Sequence, residues 1–216
     1  MRRVTTAVTA AATSLLLAAA PAAAHGGSHT APPPDVTDLA TGLVSPLSIA
    51  AGPRGTTFVT QNFAGLLTAV DRNGAASVLH SSANGEEVGG VSYHHRTVTF
   101  TETEYAGEME PSGSTLRTLR LDRHGNPAGP ARTVADIRAY EDAHNPDGDV
   151  VYGLRDTDQA CLDQIEAEDF PARYSGIPAS PPYATTRWRG RTYVADAGMN
   201  AIVSVGDRGT VRTVAV

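Results

Sequence analysis

The sequence predicts an all-β fold of four-stranded antiparallel blades, an incomplete β-propeller, because the chain resembles itself at a distance of 135 residues. Residues 46–74 (PLSIAAGPRGTTFVTQNFAGLLTAVDRNG) align without a gap on residues 181–209 (PPYATTRWRGRTYVADAGMNAIVSVGDRG). This distance equals three periods of 45 residues, close to the length of one propeller blade. Alternating Thr-, Val- and Tyr-rich segments joined by glycine turns also indicate strands, and no segment predicts the long helices of a β-α-β fold.

The N-terminus predicts an export signal. Within residues 1–24, Arg2 and Arg3 precede an Ala/Leu-rich apolar stretch, and Ala22–Ala24 fit a small-residue cleavage site. A membrane span is the alternative, but the apolar stretch is short and interrupted by threonine. We therefore expect a secreted protein, extracellular or periplasmic, with no membrane association after cleavage. The Gly- and Pro-rich residues 25–37 predict a flexible leader.

Residues 38–216 are predicted to form the partial propeller, about four blades near 42–80, 87–135, 140–176 and 178–216. The third blade carries an insertion in which residues 158–168 predict a short helix. In a four-stranded meander, the loops between the second and third strands and the links between blades open at one end, which we call the loop end. The short hairpins open at the other. Because loops carry function on a rigid scaffold, the loop end is the candidate binding face.

Polar residues concentrate at this predicted loop end. The candidate binding residues are Gln61, Asn62, Glu87, His144, Asn145, Asp196 and Asn200. The same loops and links also contain Glu86, Glu102, Glu104, Tyr105 and Glu141. Such carboxylate and amide oxygens suit Ca²⁺ or Mg²⁺, and for a metal site the predicted ligands are Glu87, Asn145 and Asp196, with His144 as a nearby base. The alternative is structural, since tight turns and blade junctions favour the same residue types.

Charge and motifs exclude several classes of function. The chain has no lysine, and after removal of the signal peptide 15 arginines face 23 acidic residues. An acidic chain without basic clusters lacks the positively charged surface that nucleic acid or an anionic membrane would bind. The sequence also contains no GxSxG, HExxH, CxxC or phosphate-binding glycine loop.

Cys161 is the single cysteine of a chain that we expect to be exported. It is either a tolerated free thiol or one half of a disulfide whose partner is absent from this chain. Because the chain also stops within a predicted outer strand, the second alternative predicts a C-terminally truncated copy of a longer protein.

Five segments resemble one known family. They are residues 45–51 (SPLSIAA), 59–65 (VTQNFAG), 87–91 (EVGGV), 140–148 (YEDAHNPDG) and 193–202 (YVADAGMNAI). The chain resembles the secreted ScyD/ScyE family of NHL-like repeat proteins over essentially its whole length. The resemblance implies a β-propeller, typically six-bladed, outside the cytoplasm and without a firmly assigned reaction. It also implies two or more further blades, which would include a second cysteine as the partner of Cys161.

Three hypotheses about function remain open. The first is a binding or interaction module whose mouth takes a protein, a peptide or a small molecule without catalysis. The second is a divalent-metal-dependent hydrolase, lactonase or lyase on the same face. The third is a truncated copy without independent activity. The enzyme requires three or more of Glu87, His144, Asn145 and Asp196 to converge on one centre at about 2.5 Å.

Overall fold

The computed structural model describes residues 36–107, 110–166 and 171–216. The predicted signal peptide and nearly all of the predicted leader lie outside the described residues. Residues 38–216 form one compact unit, which contains every element named below. Within the described part of the chain, no helix is both long enough and apolar enough to span a bilayer.

The described residues form three four-stranded antiparallel sheets, which are the blades, and one two-stranded sheet. The first blade contains β1 (Pro46–Ala51), β2 (Thr57–Gln61), β3 (Leu66–Val70) and β4 (Ala76–Ser81). The second contains β5 (Glu87–His94), β6 (Thr97–Tyr105), β7 (Pro111–Arg120) and β8 (Arg132–Asp136). Then follow helix α1 (Ile137–His144), β9 (Val151–Gly153), helix α2 (Gln159–Glu166) and β10 (Arg173–Ser175), with β9 and β10 paired. The third blade contains β11 (Pro182–Trp188), β12 (Arg191–Asp196), β13 (Ala201–Val205) and β14 (Val211–Ala215). The predicted fold class is confirmed.

The predicted blade near 140–176 needs correction, because its described residues do not form a four-stranded sheet. The segment 137–144 (IRAYEDAH) buries Ile137 and Glu141, four residues apart, which is the spacing of a helix face and not the alternation of a strand. The Asp136 side chain caps the helix by accepting a hydrogen bond from the Ala139 amide at 2.8 Å. The predicted helix in the insertion is present as α2, where Cys161 is a half-buried free thiol.

The hairpins opposite the loop end form as the sequence predicts. Asp71 Oδ1 accepts hydrogen bonds from the amides of Asn73 at 2.8 Å and Ala75 at 2.9 Å. Asp122 closes the equivalent hairpin of the second blade in the same way. Each aspartate thus satisfies the turn amides that no strand partner reaches.

The inner strands of the three blades lie side by side, with β5 in contact with both β1 and β11. A Cβ atom on Gly89 would lie 2.3 Å from the Pro182 carbonyl oxygen, and one on Gly90 would lie 2.6 Å from the Ala184 Cα. The two glycines therefore permit this close approach. Thr101 Oγ1 joins the strands by donating to the Pro182 carbonyl at 2.7 Å and accepting from the Gly90 amide at 2.8 Å.

Two hydrophobic clusters fill the spaces between the blades. The first lies between the first and second blades and includes Phe58, Leu67, Val88 and Phe100. The second joins the second blade directly to the third and includes Leu116, Ile137, Val194 and Val203. Because this second cluster is continuous, the third blade packs against the second without a further blade between them.

Candidate functional site

The loop end is built from short connections that the meander brings to the same end of all three blades. In the described chain these are residues 62–65, 82–86, 106–107, 137–150, 176–181 and 197–200. Side chains from these connections and from the adjacent strand ends form two polar groups, one around Glu87 and one around Asp196.

The first group, the Glu87 group, consists of Asn62, Glu87, Tyr105 and Tyr183. The Glu87 carboxylate accepts hydrogen bonds from the Asn62 side-chain amide and from the Tyr105 hydroxyl, each at 3.2 Å. Burial, a hydrogen bond with Tyr183 and the Glu87 charge together raise the pKa of the Tyr105 phenol above its usual range. Tyr105 therefore stays protonated and serves as a hydrogen-bond donor to Glu87.

Further acidic side chains surround the Glu87 group. Burial and the charges of Glu104 and Glu102 raise the pKa of the Glu86 carboxyl. Glu102 is 3 % exposed and contacts both His80 of β4 and Arg117 of β7. Among the described residues, Glu86, Glu87 and Glu104 take part in no ion pair, so this region carries excess negative charge.

The second group, the carboxylate cluster, consists of Glu141, Asp147 and Asp196, which are 0 %, 0 % and 3 % exposed. The Asp196 carboxylate accepts a hydrogen bond from the Ser180 hydroxyl at 2.5 Å and from the amides of Gly198 and Met199 at 3.1 Å. Burial nevertheless raises the pKa of Asp196 to about 6.

Glu141 has a less favourable environment. Burial, followed by the charges of Asp147 and Asp196, raises the pKa of the Glu141 carboxyl to about 7. Neither of its carboxylate oxygens accepts a hydrogen bond of normal geometry from the described residues, although the nearby Ala179 amide lowers the pKa. Asp147 Oδ2 accepts from the Asn200 side-chain amide at 2.9 Å, but its Oδ1 has no such donor.

The structure divides the predicted binding residues between these two groups. Asn62 and Glu87 meet in the first, while Asn145, Asp196 and Asn200 lie in or beside the second. Gln61 has a structural role, since its side-chain oxygen accepts from the Val44 amide at 2.6 Å and its side-chain nitrogen donates to the Thr68 hydroxyl at 2.8 Å.

His144 belongs to neither group. It is exposed on α1, its ring stacks on Tyr140 with centroids 4.2 Å apart, and its Nδ1 lies 3.0 Å from the Tyr140 carbonyl oxygen. This placement gives no support to its predicted role as a base.

The predicted metal ligands also do not form one set. The Glu87 carboxylate accepts a hydrogen bond from Asn62 of the first group. The Asp196 carboxylate accepts hydrogen bonds from Ser180 and from two backbone amides. Burial, followed by the charges of Glu87 and Asp196, raises the pKa of the Tyr183 phenol. Among residues 36–107, 110–166 and 171–216, no three His, Cys, Asp or Glu side chains have a ready-made metal-binding arrangement.

Sequence reasoning did not select Asp147, Ser180 or Tyr183. The segment 145–148 (NPDG) predicts a tight turn, which explains Asp147 without a ligand. Tyr183 is one aromatic residue in an alternating strand, and only its contact with Tyr105, 78 positions away, reveals its place in the site.

A cleft of about 470 Å³ lies at the opposite end, between the second and third blades. Four threonines line it, together with His94, Arg187 and Asp207. None of the predicted site residues lines this cleft.

The fold and the loop end define the class of protein: within the described residues, the chain is an incomplete β-propeller of four-stranded antiparallel blades. No protein-family model matches the sequence, and no curated protein matches it either.

Three solved structures are similar to this chain. A virginiamycin B lyase from Staphylococcus aureus is 16% identical, with a TM-score of 0.44 over 79% of this chain and 41% of the lyase. A glucose dehydrogenase is 15% identical, with a TM-score of 0.48 over 82% of this chain and 48% of the dehydrogenase. A streptogramin B lyase is 15% identical, with a TM-score of 0.38 over 80% of this chain and 55% of that lyase. This chain thus spans about half the length of these proteins.

Proposed function

We propose that this protein is a secreted β-propeller of the ScyD/ScyE type that binds a positively charged ligand at its loop end without transforming it. The export signal predicted for residues 1–24 and the five family-like segments support the cellular location and the family. The ligand is a basic peptide segment or a small cation.

The observation that carries the proposal is the excess negative charge around Glu87. Glu87 is half-buried, so its carboxylate is partly desolvated, and Asn62 and Tyr105 fix its orientation. A partly desolvated carboxylate attracts a cation more strongly than one in bulk water. Glu86 and Glu104 add charge of the same sign nearby, which steers cationic ligands to this end.

Aromatic surface at the same end supports this ligand class. Phe63 is 71 % exposed in the connection that follows Asn62. Arginine side chains stack on aromatic rings and form paired hydrogen bonds with carboxylates. A ligand that carries guanidinium groups therefore matches both features of the loop end.

Calorimetric titration of the full secreted chain with an amidated tetra-arginine peptide tests this proposal. We expect binding at low salt that weakens strongly at about 0.5 M salt, because the interaction is electrostatic. Glu87→Gln should weaken binding by about tenfold, which corresponds to the loss of one charged contact.

The matched control is Asp207→Asn, which removes an exposed acid at the opposite end. This variant should bind the peptide as the wild-type protein does. Absence of peptide binding, or equal weakening by the two variants, would overturn the proposal.

A further inference from the structure

A second binding property follows from four buried carboxylate and amide oxygens near the end of α1 that accept no hydrogen bond of normal geometry. Among the described residues, these are both carboxylate oxygens of Glu141, Oδ1 of Asn145 and Oδ1 of Asp147. Glu141 and Asp147 are completely buried, so water does not solvate them from outside. Buried acceptors normally have partners, and a concentration of four without partners requires an explanation.

The three residues come from one short stretch of chain. Glu141 lies in the last turn of α1, and its backbone carbonyl accepts the hydrogen bond of the Asn145 amide at 2.7 Å. Asn145 ends the helix with a positive φ of 35°, which turns the chain back and brings Asp147 to the helix end.

Gly176 lies next to the Asn145 and Asp147 side chains. Its carbonyl oxygen accepts a hydrogen bond from Asn145 Nδ2 at 3.2 Å, which directs Asn145 Oδ1 elsewhere. A Cβ atom at position 176 would lie only 2.0 Å from Asp147 Oδ1. Glycine therefore leaves the space in which the Asn145 and Asp147 side chains lie next to each other.

The chemistry of these oxygens indicates the missing partner. Two carboxylates buried close together repel each other, and no basic side chain forms an ion pair with either of them among the described residues. A cation would supply the positive charge that these two acids lack. Ca²⁺ accepts carboxylate, amide and backbone oxygens in irregular geometry, whereas Mg²⁺ demands a near-ideal octahedron and retains its waters.

We propose that Glu141, Asn145 and Asp147 bind a calcium ion within the loop end. Two carboxylates and one amide oxygen form the core of the ligand set, and backbone carbonyls or water complete it. The ion would tie the last turn of α1 to the turn that follows it, and Asn200 joins Asp147 of that turn to the third blade. This site is separate from the Glu87 group, so it is independent of the proposed ligand binding.

Thermal unfolding of the full chain, first treated with a chelator, tests the site. Ca²⁺ at about 1 mM should raise the Tm by several degrees, because an ion that binds only the native state stabilises it, and Mg²⁺ should raise it much less. Glu141→Gln and Asp147→Asn should each abolish the calcium-dependent rise. Asp142→Asn is the matched control, since Asp142 is an exposed acid on the same helix, and it should retain the rise.

Terbium luminescence gives a second readout. Tyr152 lies close enough to Asp147 for that carboxylate to help raise the pKa of its phenol, so Tyr152 should sensitise Tb³⁺ emission at the site, and Ca²⁺ should quench that emission by competition. Tyr152→Phe should reduce the emission but preserve the calcium-dependent rise in Tm.

Two results would overturn the proposal. One is a wild-type Tm that does not respond to Ca²⁺. The other is a response that persists in both Glu141→Gln and Asp147→Asn, which would locate the ion elsewhere. An equal response to Mg²⁺ would contradict the assignment of calcium.

Discussion

Glu102 and Glu141 are both buried glutamates, but their carboxylates have opposite surroundings. Burial alone would raise the pKa of Glu102, but hydrogen bonds from His80 and Arg117 and their nearby charges hold that pKa below its usual value. The pKa of Glu141 is raised, because burial and the charges of Asp147 and Asp196 outweigh the effects of the Ala179 amide and Arg138. Glu102 therefore joins the first blade to the second, because its two partners come from β4 and β7.

The Glu102 contacts predict acid sensitivity. A carboxyl whose pKa is lower in the native state than its unfolded value of 4.5 contributes stability that is present above pH 4.5 and is lost as the pH falls through the native pKa. Glu102→Gln should lower the free energy of unfolding by about 2 kcal/mol at pH 7, because Arg117 loses its buried charged partner.

Urea denaturation of both proteins at pH 7 and pH 3 measures this effect. Asp71 and Asp122 also have lowered pKa values, and they contribute equally to both proteins. The difference between the proteins should therefore shrink at pH 3, and a difference that stays constant with pH would contradict the role of Glu102.

At the scale of elements, α1 occupies a position where the sequence predicts the start of a blade. The helix packs against β7 and turns Glu141 inward, while Arg138 and Asp142 form an ion pair at 2.8 Å near its surface. Its first turn depends on Asp136, whose side chain accepts from the Ala139 amide at 2.8 Å. Asp136 and Asp142 are therefore expected to contribute differently to the stability of α1.

This difference predicts the result of two matched substitutions. Asp136→Ala removes the cap and should lower the free energy of unfolding by about 1 kcal/mol. Asp142→Ala removes a largely exposed ion pair and should cost less than about 0.5 kcal/mol. Chemical denaturation measures both, and an equal loss in the two variants would show that the cap does not stabilise α1.

The blades could be predicted because their signals are local, whereas much of the site could not. The β-branched and aromatic residues of 57–61 and the aspartate turns at 71 and 122 define strands and hairpins within a few positions. The pairing of Asn62 with Glu87 follows from topology, since one residue begins a loop and the other begins the next inner strand. By contrast, Tyr105 meets Tyr183, and Asp147 meets Asn200, only through packing between blades, which no local pattern records.

At the scale of the whole molecule, β5 lies between β1 and β11. Ser48 Oγ accepts from the Val91 amide at 3.1 Å on one side, and Ser92 Oγ lies 2.9 Å from Thr185 Oγ1 on the other. Hydroxyl groups thus join inner strands that are distant in sequence. Because the inner strands meet, the connections of three blades reach the same end, and both polar groups depend on this arrangement.

Disulfide formation between Ser92→Cys and Thr185→Cys, in a Cys161→Ser background, tests this arrangement most directly. The two hydroxyl oxygens lie 2.9 Å apart although the residues are 93 positions apart, so the account predicts nearly complete oxidation, seen as a loss of two hydrogens in the intact mass. Ser92→Cys with Thr186→Cys is the control, because adjacent strand residues point to opposite faces. A target pair that stays reduced, or a control pair that oxidises equally, would contradict the packing of β5 against β11.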